Sequence, residues 1–284
     1  MIASDPASAV RANSTSRVDY RIGRADGSTS SPRESGASVH DALGHCDALL
    51  CESGEAEGNP LATAILAAYE SFDEAARARF FDGLVDLSRV GDLRWRELFL
   101  RLKRATGATA SLVRMRDHLQ QRQKWAGIEH DLMQVLRTLF DPAVLDFQQI
   151  DLDTPSSVLN RLIEAEAVHP VEDSREMRRR LEADRRCYAF FHPAWPREPL
   201  IFTEIALTRG IAATTGPILA PDSPIADPRM CDTAIFYSIS NCQPGLRGIS
   251  FGNFLIKQVV EDLSRDLPSL KTFVTLSPAP GFGP

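Results

Sequence analysis

Two clusters of residues near the end of the chain carry types and spacings that suit chemistry. The first is a run of glycines, Gly245, Gly248 and Gly252, between the apolar stretch Thr233 to Ser240 and a helical pattern. Glycines at a strand-to-helix connection bring backbone amides within reach of a ligand. The helix that follows turns free N–H groups and its dipole toward an anion. The second is Ser277, which precedes Pro278 at the end of the apolar run Lys271 to Leu276. A hydroxyl there is a candidate nucleophile or hydrogen-bond donor, and a serine before proline is also a common turn residue. The glycine spacing matches neither the Walker nor the dinucleotide fingerprint. From spacing alone, phosphate binding and a plain tight turn both stay open. Ser238 and Ser240 lie within the first apolar run, where satisfied core hydroxyls are the simpler reading.

These groups need elements to hold them. Thr233 to Ser240 reads as a central strand. After the glycine loop a helix opens near Ser250, with Leu255, Val259 and Leu263 on one face and Ile256 and Val260 widening it. Leu267-Pro268 ends it, and Lys271 to Leu276 forms the next strand. Strands joined through a helix are parallel with a right-handed crossover. Upstream, Cys187 to Phe191 and Leu200 to Thr208 read as an antiparallel hairpin. The proline-bearing stretch Gly210 to Arg229 is a long loop of the kind that covers sites.

The earlier half has a different period. Ser71 with Glu74 forms a capping box for a helix carrying Ala76, Phe80, Leu84 and Leu87 on one face. Trp95, Leu98, Leu102 and Ala105 repeat the pattern, and Leu112 to Gln123 and Ile128 to Phe140 supply two more helices. Together they predict a bundle with short connections. Asp141 to Asp153 reads as a linker. Thr154 and Pro155 then start a helix as N-cap and first residue, and Ser174 starts a shorter basic one. Residues 1–40 are rich in Ser, Ala, Arg and Gly with few large apolar side chains, the composition of a disordered tail.

Composition narrows the function classes. The chain has 284 residues, 43% hydrophobic and 25% charged, with a formal net charge of −6. That is a soluble globular balance without the basic face of a general nucleic-acid binder. No apolar run is long enough to cross a bilayer. The five cysteines, Cys46, Cys51, Cys187, Cys231 and Cys242, are odd in number and lack zinc-ligand spacing. They suit a reducing compartment, and the cytoplasm is the expected location. Arg11, Arg17, Arg21 and Arg24 among serines have a transit-peptide flavour that acidic residues interrupt. No Glu or His pair has metal-ligand spacing on a helix. His192 reads as structural, His169 as a helix cap, and His118 and His130 as exposed.

Several motifs, in order, carry a specific resemblance. They are EAEAVHPV at Glu164 to Val171, RRCYAFFHPAWPREPLIFTEIALTRGIA at Arg185 to Ala212, and APDSPIADP at Ala220 to Pro228. AIFYSISNCQPGLRGISFGNFLIKQVVEDL and TFVTLSPAPGF follow. The chain resembles the malonyl-CoA decarboxylase family from about Thr154 to Phe282. GDLRWRELFLRLKRATGATASLVRMR extends the likeness into the helices.

The resemblance implies an α+β protein in two parts. One is an all-α bundle over residues 41–150, used for homo-oligomer assembly. The other, residues 151–284, is the N-terminal part of an acetyltransferase-like (GNAT) α/β domain that binds coenzyme A. By position, the CoA loop comprises Arg247, Gly248, Ile249, Ser250, Phe251, Gly252 and Asn253. Ser277 is the catalytic serine and Ser238 a possible site residue. Arg247 and Lys257 are candidate phosphate contacts. The implied substrate is malonyl-CoA, with no cofactor, metal, nucleic acid or membrane partner. The family's serine works with a histidine farther along, and none of the six histidines here matches it. The expectation is therefore an incomplete catalytic domain with little activity of its own. The rival expectations are a non-enzymatic CoA-binding or oligomerisation fragment, and an acyltransferase, which the motifs around Ser277 disfavour.

Overall fold

The computed structural model describes residues 38–52, 58–90 and 94–276. Helices come first: α1 (Val39–Cys51), α2 (Pro60–Ser71), α3 (Glu74–Val90), α4 (Trp95–Leu102), α5 (Ala108–Leu119) and α6 (Ala126–Leu139). Ser38 caps α1 by accepting from the Asp41 amide, and Asn59 caps α2 ahead of Pro60 at its first position. Between α2 and α3 the expected capping box gives way to a different cap. Ser71 closes α2, its hydroxyl on the Ala68 carbonyl, and Asp73 accepts from the Ala76 amide to start α3. The aspartate wins because its carboxylate is a charged acceptor at the positive end of the helix.

The bundle's apolar stripes meet as the periodicity predicts. Phe80, Leu84, Leu98, Leu102, Leu112, Ile128, Leu132 and Leu136 are all buried. His118 departs from the expected exposed position. It is half-buried, with Nδ1 2.7 Å from the Tyr69 hydroxyl.

The segment read as a linker contains β1 (Asp146–Ile150), the first strand of a mixed sheet. It continues through α7 (Ser156–Ala165), α8 (Ser174–Arg179), β2 (Arg185–Phe191), β3 (Ile201–Thr208), α9 (Gly216–Leu219), β4 (Thr233–Asn241), α10 (Gly252–Asp266) and β5 (Thr272–Thr275). The strands lie in chain order, antiparallel from β1 to β4, with β5 parallel to β4. The α7 start also differs from the expected one. Thr154 turns its hydroxyl back to accept from the Asp151 amide, and the Pro155 carbonyl takes the first helical bond. His169 lies beyond the end of α7, and its carbonyl accepts from Arg180.

The middle strands are buried on both faces. Tyr188, Phe190, Ile201, Ile205, Ala234 and Phe236 share one core with the helices before the sheet and with Leu255, Val259 and Leu263 of α10. Cys187, Ala189, Phe191 and Phe202 pack on the other face against Val158 and Leu162 of α7 and Met177 of α8. At the far end of that face Ile218 of α9 covers Ala206, Ile235 and Tyr237. This pin holds the long loop between β3 and β4 on the sheet. The β3–β4 register shifts at Glu204 and Ile205, so Tyr237 is the extra residue of a bulge.

Candidate functional site

The glycine loop is set by three different demands. After β4 a short 3-10 turn, Pro244–Leu246, hands the chain to Arg247. Gly245 is buried against α5, and a Cβ there would lie 2.0 Å from the Val113 carbonyl oxygen. Its missing side chain makes room for a helix backbone, not for a ligand, which corrects the sequence reading of that position. Gly248 has φ 82°, the left-handed region that glycine tolerates, and open space around its Cα. Gly252 meets only Ile201 at 3.9 Å and carries neither constraint.

The loop opens directly into α10. Phe251 is buried and anchors the helix start, while Arg247, Gly248, Ser250 and Asn253 are exposed and Ile249 is half-buried. No side chain caps α10, and its first turn holds no acidic residue. The N–H groups of the first turn, which no intrahelical acceptor can serve, are therefore presented outward. Lys257 is exposed on the same helix.

Beyond the loop the sheet splays. The parallel ladder runs from Thr233–Thr272 to Phe236–Thr275, and β4 then continues to Asn241. Among the described residues, the β5-facing edge of β4 from Tyr237 onward has no strand beside it. Leu276 donates to Phe236 as the last contact. Ser277 follows at once and lies outside the described residues.

Ser238 occupies the far part of β4, on the face covered by α7 and α8. Its hydroxyl is buried and donates to Glu166 Oε2 at 2.7 Å. Ser240 lies 3.4 Å from the same oxygen. Glu166 Oε1 accepts from the Val168 and His169 amides at 2.7 and 2.8 Å. Next to Ser238 in register stands Glu204, buried and paired with Arg180 at 2.9 Å. Burial pushes the Glu204 carboxyl up to about 7, against the pull of the Arg180 charge, and the Glu166 charge adds to the rise. Sequence reasoning missed Glu166, Glu204 and Arg180. A lone acid inside the apolar run Leu200 to Leu207 was the available signal, because a buried charge demands a partner.

Residues 143–284 match the family model described as malonyl-CoA decarboxylase C-terminal domain. The chain belongs to the malonyl-CoA decarboxylase family.

Solved structures agree. The chain is similar to a malonyl-CoA decarboxylase from Agrobacterium vitis, 42% identical with a TM-score of 0.78, covering 85% of this chain and 67% of that one. A second, from Rhodopseudomonas palustris, is 39% identical with a TM-score of 0.77, covering 86% and 67%. Among curated relatives, the mitochondrial malonyl-CoA decarboxylase of Anser anser anser is 37% identical over 199 residues, 66% of this chain. The Rattus norvegicus protein is 36% identical over the same length. The chain spans 40% of the length of each of these two curated relatives.

Two further properties bear on the family's chemistry. Among the described residues no group of three or more His, Cys, Asp or Glu side chains is placed to hold a metal ion. No helix there is long and apolar enough to cross a membrane. His192 is structural as expected, its Nε2 3.2 Å from the Leu139 carbonyl and its Nδ1 accepting from the Ala194 amide.

Proposed function

We propose that the protein removes CO2 from malonyl-CoA to give acetyl-CoA. One observation carries the reading most directly: the glycine loop and uncapped start of α10 stand beside the point where β4 and β5 part. A phosphorylated thioester laid over the loop would run its chain along the open edge of β4, with its acyl end toward the residue after Leu276.

The reaction needs little beyond position and polarity. The bond between the carboxylate and the α-carbon breaks, and its electron pair moves into the thioester as an enolate. Protonation at carbon completes acetyl-CoA. The substrate is its own electron sink, so the scheme uses no cofactor or metal. Ser277, by family position, donates to the developing oxyanion, a contribution of about 3–4 kcal/mol. Arg247 and Lys257 meet the phosphates. Ser238 tunes the far wall through Glu166 and Glu204. We further place the protein in the cytoplasm, supported by five free thiols, and assign self-assembly to the helices of residues 41–150.

Incubating the chain with malonyl-CoA and following acetyl-CoA tests the reading. Turnover that falls about 100-fold or more in Ser277→Ala supports it. Binding of CoA by calorimetry without turnover supports instead a non-enzymatic CoA-binding or assembly module. Neither binding nor turnover overturns both.

A further inference from the structure

Where the Arg247–Asn253 loop meets the helices, a cavity of about 350 Å3 opens that the scheme above leaves unused. Arg116, Gln120, Arg122 and Glu129 line it from the α5–α6 side, and Arg247 and Gly248 from the loop. Three guanidinium groups face one carboxylate, a local excess of two positive charges in a chain of net charge −6. Glu129 is committed to Arg116 at 2.8 Å. The excess therefore falls on Arg122 and Arg247, which are both exposed. Arg122 is also pre-positioned, its guanidinium 5.0 Å over the Trp125 ring.

The two walls are fixed to one another. Gly245 packs directly on the α5 backbone at Val113, and Arg116 donates to the Gly245 carbonyl at 2.7 Å. Any anion lying along the loop at Gly248 thus has the α5–α6 surface as its side wall. The cavity volume is in the range of small-molecule sites, about 300–1,000 Å3. Planar guanidinium groups suit phosphate oxygens, which they bind in pairs.

We propose that this cavity receives the phosphorylated nucleotide end of the CoA thioester, and that the helices before the sheet are a wall of the substrate site. Arg122 and Arg247 bind the phosphates from opposite sides, and Gly248 lets the nucleotide approach the backbone. This rests on the coenzyme A reading above.

The probe is adenosine 3′,5′-bisphosphate, which carries the nucleotide chemistry without the thioester arm. Calorimetry on the full chain at low salt should show saturable binding that weakens at least about tenfold in Arg122→Glu and in Arg247→Glu. Both side chains are exposed, so thermal melts should be unchanged. Arg94→Glu, an exposed arginine on α4's approach that pairs with Glu97, should bind as wild type. No binding, or equal binding in all four proteins, overturns the proposal. The failures are distinguishable. Arginine-dependent nucleotide binding without malonyl-CoA turnover leaves the cavity standing and removes the decarboxylase reading. Turnover whose KM ignores Arg122→Glu and Arg247→Glu does the reverse.

Discussion

Arg116 of α5 donates to the carbonyl oxygen of Gly245 at 2.7 Å, joining positions 129 residues apart. The arginine side chain is 4% exposed and also pairs with Glu129. A single buried guanidinium therefore fixes the start of the phosphate-facing loop to the helical half. Replacing it with methionine keeps the apolar bulk but leaves the Gly245 carbonyl and Glu129 without their donor. Arg116→Met should cost about 2–4 kcal/mol in urea unfolding. A loss below about 0.5 kcal/mol, the level of ordinary surface changes, would remove this clamp from the argument.

The neighbouring glycines allow a sharper contrast. In Gly245→Ala the new methyl would sit 2.0 Å from the Val113 carbonyl, so helix or loop must shift. The expected loss is about 1–3 kcal/mol. Gly252→Ala meets nothing closer than 3.9 Å and begins a helix, so it should be neutral or stabilising by up to about 1 kcal/mol. Chemical denaturation of the two variants side by side checks the assignment. Equal effects would show that close packing is not what distinguishes the two positions.

Asp184 holds the long loop between β3 and β4. Its carboxylate accepts from Arg179 at 2.7 and 2.9 Å, pairs with Arg185 at 2.9 Å and accepts from the Ala226 amide. Arg179 and Arg185 in turn donate to Ser223 and to the Ile218 carbonyl. Burial works against ionisation of Asp184, but the Arg179 hydrogen bonds and the Arg185 charge outweigh it and hold the carboxyl below its ordinary value. Its contribution is thus complete above the unfolded value of about 4 and is lost as the pH falls through the lowered one. Asp184→Asn leaves two buried arginines short of a counter-charge and should cost about 3–5 kcal/mol near neutral pH. Faster proteolysis between Gly210 and Arg229 should accompany it. An intact loop and unchanged melting would overturn the tether.

What the sequence made legible follows from where packing repeats. Leu255, Val259 and Leu263 recur at helical spacing because one face of α10 meets the sheet, so the element and its buried face were both readable. The same holds for the β2–β3 hairpin, whose apolar runs are bounded by prolines. Strand β1 escaped because Asp146-Phe-Gln-Gln-Ile150 is mostly exposed and lacks an apolar run; only its pairing with β2 makes it a strand. Ser71 and Thr154 were plausible caps, but Asp73 supplied a stronger acceptor and Asp151 engaged Thr154 first. The role of Gly245 was hidden for another reason. Its constraint comes from Val113, far away in the chain, and no local pattern reports a contact of that kind. Glu166 and Arg180 were likewise invisible until their partners were placed, since each lies in a polar stretch that looks solvated.

Glu204 gives the prediction with a direction in pH. Burial raises its carboxyl from 4.5 to about 7, Arg180 pulling the other way. In the unfolded chain the same group releases its proton near 4.5. Between those values the folded protein keeps a proton that the unfolded chain has lost. Stability therefore falls as pH rises through this window, and the group's contribution is level above it. Glu204→Gln cannot titrate, so its melting temperature should lose that slope, whatever its absolute value with Arg180 facing a neutral amide. The wild-type melting temperature minus that of the variant should shrink steadily from about pH 5 to about pH 7.5. Melts at closely spaced pH values measure the difference directly. Parallel curves for the two proteins would mean that Glu204 is ionised throughout, held by Arg180 against its burial.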